Sequence, residues 1–103
     1  MAMQISRRGD VIAIEGEMTI YFGAEMKPQL LAALHADTHD VVLDLARVTE
    51  LDTCGLQMLL MVCAAAAADK RVFSVHAPSA AVADVLRLCG LNEWFGNQTT
   101  EAA

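Results

Sequence analysis

The strongest constraint on the fold is an alternation of two kinds of apolar segment in the second half of the chain. "VVLDLA", residues 41–46, is a short, nearly unbroken apolar run, as expected for a strand buried on both faces. The segment Gly55–Ala68 that follows is too long for a strand, and its Ala, Leu and Met content favours helix. "RVFSVHA" returns to strand character and closes at Pro78. "PSAAVADVLRLCGL" then reads as a helix, with Ser79 as N-cap and Gly90 just past its end. Strands that alternate with helices imply a mainly parallel sheet, right-handed crossovers and covering helices.

Upstream, "MQIS" and "VIAIEGEM" flank the turn signal Arg8-Gly9-Asp10 and read as a β-hairpin. In "GAEMKPQLLAALHA" the residues Met26, Leu30, Leu31 and Leu34 recur at helical spacing. Pro28 falls near the helix start, where a missing N–H costs little. The order β-β-α-β-α-β-α gives an α/β fold: a small mixed, mainly parallel sheet of four to five strands with three to four helices mostly on one face. One domain is expected over residues 1–97. "NEWFGNQTTEAA" holds at most one short element, and residues 98–103 read as a polar tail.

Composition narrows the function. A chain of 103 residues that is 55% hydrophobic can bury one core, not two. The formal net charge is −6, and the seven Lys and Arg are scattered along the chain. No basic stripe exists to neutralise phosphates, which argues against nucleic acid and against anionic lipid surfaces. Cys54, Cys63 and Cys89 form no C-x-x-C pair and read as free thiols of a reducing compartment. "MAMQISRRGD" lacks the apolar core of a signal peptide, and the run Met58–Ala68 is shorter than the ~17–25 residues that cross a bilayer. The expectation is a cytoplasmic protein with no membrane insertion.

The helix from Gly55 to Ala68 has two apolar faces. At 100° per residue, Leu59, Leu60, Cys63 and Ala67 cluster within about 60° of Leu56, and the five are expected to face inward. Cys54, Gln57, Met58, Met61, Ala65 and Ala68 collect opposite, where an ordinary surface helix carries Lys and Glu. Either a neighbouring element covers this second face, or it is an exposed docking strip in which Met supplies adaptable contacts. A chain this small has few elements left to cover it, so the docking reading is preferred. An exposed strip is also compatible with a homodimer.

The chemistry concentrates in "LDTCGLQMLL", residues 51–60. Asp52 and Thr53 suit a helix start, where their oxygens accept from free N–H groups and a carboxylate meets the positive end of the helix dipole. Gly55 costs about 1 kcal/mol in a helix, so its presence implies close approach of another group to the backbone. A catalytic Cys54 would need a base or an oxyanion-binding arginine. None follows in "GLQMLLMVCA", and nothing places His35, His39 or His76 beside it. His35 and His39 share a helical spacing without a third ligand, so no metal site and no cofactor is expected. Asp44 lacks the acidic pair and lysine that would make it a phospho-acceptor, and is expected to bond backbone at the strand end.

Together, "GEMTIYFGAEMKPQLLAAL", "VVLDLARVTELDTCGLQMLLM" and "VFSVHAPSAAVADVLRLCGLNEWF" resemble the STAS domain, named for sulfate transporters and anti-sigma-factor antagonists. The resemblance covers residues 3–96. It is carried by a D-L-x-x-V-x-x-x-D-[ST]-x-G-L pattern from Asp44 to Leu56, by V-L-x-L-x-G-L from Val85 to Leu91, and by a Gly16-Glu17-Met18 loop. It implies a stand-alone, non-enzymatic bacterial regulator of the anti-sigma-factor antagonist type. Such regulators bind a kinase-like anti-sigma factor and are switched by phosphorylation of a serine in D-S-S-G. Here the third place is Cys54, which is not a hydroxyl, so the candidate acceptor moves to Thr53. D-T-x-G also resembles STAS subunits of the bacterial phospholipid-transport ABC system, where this threonine contacts the ATPase. The resemblance places partner binding on Asp52, Thr53, Cys54, Gly55, Met58 and Met61, flanked by Glu17 and Thr19.

Overall fold

The computed structural model describes residues 3–36 and 39–91 and the backbone of 99–100. Strand β1 (Gln4–Arg8) and strand β2 (Val11–Met18) form the expected hairpin, with Gly9 in the left-handed region at its turn. A 3-10 turn (Ile20–Phe22) leads directly into α1 (Gly23–His35). Then follow β3 (Val41–Leu51), α2 (Thr53–Ala68), β4 (Phe73–His76), α3 (Ala80–Leu88) and β5 (Thr99–Thr100). The five strands lie in sequence order; β1 and β2 are antiparallel and every later pairing is parallel.

One face of the sheet carries the helices. Ile12, Ile14 and Met18 of β2, Val41, Leu43 and Leu45 of β3, and Phe73 and Val75 of β4 are buried. They join Met26, Leu30 and Leu34 of α1, Leu56, Leu59, Val62 and Ala66 of α2, and Val82 and Leu86 of α3 in one cluster. The alternate residues Glu15, Val42, Asp44, Ser74 and His76 are half-buried on the opposite face. The run 41–46 is thus buried on one face, not both. The strand also extends to Leu51, because β2 pairs with it along its full length, from Val11 against Val42 to Met18 against Leu51.

The expected ends of α3 are observed, but Pro28, expected near a helix start, lies inside α1, the sixth residue from Gly23. Ser79 is the N-cap of α3, its hydroxyl accepting from the Val82 N–H at 3.3 Å, and Gly90 follows that helix with φ +70°. Asp44 Oδ1 accepts from the Ala46 N–H at 3.0 Å. Two further expectations change. Gly16 is not in a loop: it lies within β2 at φ +91°, beside a register shift against β3, and the bulge there needs a residue without Cβ. The expected polar tail contains β5, which pairs in parallel with β4. The short element expected in "NEWFGNQ" falls at residues 92–98, outside the described part.

Candidate functional site

The β2 and β3 strands end side by side, with Met18 opposite Leu51. Both loops that leave them turn immediately into helices, so the N-termini of α1 and α2 lie at the same edge of the sheet. The carboxyl ends of adjacent parallel strands are where α/β folds place their sites, because the loops and helix starts converge there.

Asp52 organises this edge. Its Oδ1 accepts from the Gly55 N–H at 3.0 Å and caps α2. Its Oδ2 accepts from the Ile20 N–H at 2.8 Å, across the gap to the 3-10 turn. Its own N–H donates to the Met18 carbonyl at 3.2 Å. One residue therefore satisfies orphan amides of two different elements. Thr53 does not share the capping role. It is the first residue of α2 and is exposed.

Gly55 is buried, and its neighbour is the chain itself. A Cβ there would overlap the Met18 carbonyl oxygen and come within 2.6 Å of Leu51 Cδ1. The close approach inferred from sequence is real, but it comes from the end of β2 and not from a partner. Thr19, expected to flank a binding surface, is 6% exposed, and its Oγ1 has no hydrogen-bond partner among the described residues. Glu17 sits on β2 opposite Glu50 and is half-buried.

The expected Met strip is not an open surface. The buried face of α2 is Gly55, Leu56, Leu59, Val62 and Ala66, turned by roughly 70° from the face expected at 100° per residue. Cys54, Met58, Met61 and Ala65 are half-buried, with Met58, Met61 and Ala65 against the core. Cys54 Sγ lies 3.0 Å from where a Cβ on Gly23 would stand, which points this side of α2 at α1. Leu60 and Cys63, expected inside, are only half-buried, and Ala67 is exposed. Burial pushes the Cys63 thiol up from its ordinary value. The outward stripe of α2 is Thr53, Gln57, Ala64 and Ala67, with Leu60 partly open beside them.

Beside that stripe stands a feature the sequence reading missed. Ile20 is 71% exposed and Tyr21 86% exposed, on the turn that Asp52 holds. Three large apolar residues in a row, "IYF", between a strand and a helix were the available signal in a chain that is only 5% aromatic. No helix among the described residues is long and apolar enough to cross a membrane, and no cluster among them could hold a metal ion. A cleft of about 290 Å³ lies elsewhere, on the helix-free sheet face, lined by Ser6, Arg8, Ala13, Glu15, Asp44 and Arg47. Its Arg47 and Glu15 pair with each other at 3.5 Å.

A family model described as "Mlab, STAS domain" matches residues 1–97. The chain belongs to the STAS domain family. Solved STAS-like structures share its fold at low identity. The anti-sigma factor antagonist SpoIIAA in its unphosphorylated form superposes with a TM-score of 0.72 at 20% identity, covering 99% of this chain and 89% of that one. The Bacillus cell fate determinant SpoIIAA in its phosphorylated form gives 0.70 at 19% identity, covering 99% and 92%. An anti-sigma factor antagonist from Mycobacterium paratuberculosis gives 0.72 at 21% identity, covering 91% and 81%. No curated protein sequence matches the chain. Against the STAS pattern read from the sequence, Asp52 and Gly55 serve the architecture of the domain, while Thr53 is the motif residue left at the surface.

Proposed function

We propose that this STAS domain is a non-enzymatic regulatory binding module. It docks a protein partner at the shared edge of β2 and β3, through Ile20, Tyr21, Thr53, Gln57 and Leu60, with Met58 and Met61 lining the side toward α1. The observation that carries the reading is the exposed Ile20–Tyr21 pair fixed beside the exposed start of α2. Consecutive large apolar side chains in water at a rigid, polar-rimmed position fit an interface better than a solvated surface. The partner class is an anti-sigma factor or GHKL-type kinase, as for the anti-sigma factor antagonists whose fold it shares.

Thr53 is the proposed switch. Its exposure gives a kinase access, and a phosphate at a helix N-terminus is compatible with the fold. Beside apolar Ile20, Tyr21 and Leu60 it would oppose docking through desolvation and through repulsion from Asp52. Cys54 is half-buried at Gly23 and offers no hydroxyl. A second reading, an accessory subunit bound to the ATPase of a phospholipid-transport ABC system, is favoured by the D-T-x-G spacing and by the Mlab name in the family description.

The test is affinity capture from the source cell with mass spectrometry, using wild type and Thr53→Glu. An anti-sigma factor or kinase that is lost with Thr53→Glu supports the regulatory reading. Recovery of a transporter ATPase supports the second. Equal recovery of the regulator by both baits removes Thr53 as the switch.

A further inference from the structure

We propose that the Asp52 carboxylate is a two-ended strap: one oxygen caps α2 and the other fixes the Ile20–Phe22 turn, so that Asp52 positions Ile20 and Tyr21 without itself contacting a partner. The proposal rests on the docking reading above and names what shapes that surface.

The hydrogen-bond accounting of the turn carries the inference. A 3-10 turn leaves its first amides without internal partners, and the residue before it ordinarily supplies a side-chain cap. That residue is Thr19, which makes no side-chain cap bond here. Its hydroxyl is instead buried and unpartnered among the described residues. The Ile20 N–H is met by a carboxylate 32 residues away in sequence. Within the turn, the Phe22 N–H donates to the Thr19 carbonyl at 3.0 Å. The turn thus depends for its first amide on the same group that starts α2.

The strap is rigid at its far end. Asp52 is held by its N–H to the Met18 carbonyl, and the Gly55 backbone lies against Met18 and Leu51. The carboxylate cannot follow the turn if the turn moves away. Losing its second oxygen as an acceptor therefore releases the turn and spares the helix.

Asp52→Asn separates the two roles. Asn is as good an N-cap as Asp, but a carboxamide presents one acceptor oxygen where the carboxylate presents two. With the oxygen retained on Gly55, the amide group would face the Ile20 N–H donor to donor. The experiment is residue-resolved amide hydrogen exchange on the isolated protein, comparing wild type, Asp52→Asn and Asp52→Ala. The expected result for Asp52→Asn is exchange at Ile20 faster by about tenfold or more, with Gly55 and Leu56 changed by less than about threefold. Asp52→Ala is expected to accelerate all three.

Unchanged protection of Ile20 in Asp52→Asn overturns the proposal, as does equal acceleration of Ile20 and Gly55. Should Asp52→Asn fail to fold, the wild type decides. A scalar coupling through the hydrogen bond, between the Ile20 amide nitrogen and the Asp52 carboxylate carbon, supports the strap, and its absence overturns it. None of these readouts needs a partner. If Ile20 is released in Asp52→Asn while partner capture is unchanged, the strap stands and the docking reading fails.

Discussion

The two ends of α1 are held by opposite means. At its C-terminal end, Arg7 Nη1 donates to the Ala33 carbonyl from β1. Arg71 donates from the other side, Nη1 to the Leu34 carbonyl at 2.8 Å and Nε to the His39 carbonyl. Cationic donors thus meet the negative end of the helix dipole, and the surroundings are polar: His39 pairs with Asp10, and Asp40 accepts from the Val72 N–H. At the N-terminal end a single carboxylate holds the preceding turn, and two large apolar side chains are left in water. Both ends satisfy the backbone. The C-terminal end exposes the single apolar side chain of Val72, whereas the N-terminal end exposes two in succession, Ile20 and Tyr21, and the proposed docking surface rests on that asymmetry.

The largest effect is expected where the N-terminal end is tightest. Gly55→Ala puts a methyl into the Met18 carbonyl and within 2.6 Å of Leu51 Cδ1, with backbone on one side and little room to relax. A loss of about 3 kcal/mol or more is expected in urea unfolding, at the upper end for overpacking. A loss below about 1 kcal/mol would mean that α2 slides along β2, and the contrast between a rigid and a merely capped end would disappear.

At the other end, Arg71→Met keeps the apolar stem but removes the donors to two carbonyls. The cost expected is about 1.5–3 kcal/mol, the range for hydrogen bonds from charged groups. Partner capture should remain at wild-type level when the variant is folded. A capture defect in folded Arg71→Met would show that the C-terminal end of α1 also belongs to the interface.

These contrasts explain what could be read from the sequence and what could not. The alternation of strands and helices, the hairpin at Gly9 and the caps Asp52 and Ser79 are local signals, and local chemistry satisfies them. The inward face of α1, Met26, Leu30 and Leu34, was legible because Lys27, Gln29 and His35 mark its wet side. On α2 no charged residue marks a wet side between Thr53 and Ala68, so spacing alone could not fix its rotation. What fixes it is Gly55, which must lie against Met18. The second half of β3 was missed for a related reason: Ala46, Arg47, Thr49 and Glu50 are exposed and carry no apolar run. Nothing in the spacing around Ile20 and Tyr21 tells an outward side chain from a core one, and only the turn geometry puts them outside.

The rotation of α2 changes the expected cost of a substitution. Leu60, read from spacing as an inward residue, is half-buried, whereas Leu59 is fully buried. Leu59→Ala should cost about 2–5 kcal/mol and Leu60→Ala about 1 kcal/mol, because only the first leaves a closed cavity. Chemical denaturation of the pair checks the register of the helix directly. Reversal of that order would restore the face inferred from spacing.

The smallest effect on stability is expected at Tyr21, and it is the sharpest test of the comparison. Tyr21 is 86% exposed, so Tyr21→Ser removes little buried area and should shift stability by less than about 0.5 kcal/mol. A residue that contributes so little to folding gains its energetic value only when another molecule covers it, and buried aromatic anchors dominate such contacts. Capture of the partner should therefore fall at least tenfold for Tyr21→Ser, while the Ile20 amide keeps its protection because the Asp52 strap is untouched. Wild-type capture by Tyr21→Ser would remove the turn from the interface and leave the outward stripe of α2, Thr53, Gln57 and Leu60, as the docking surface on its own.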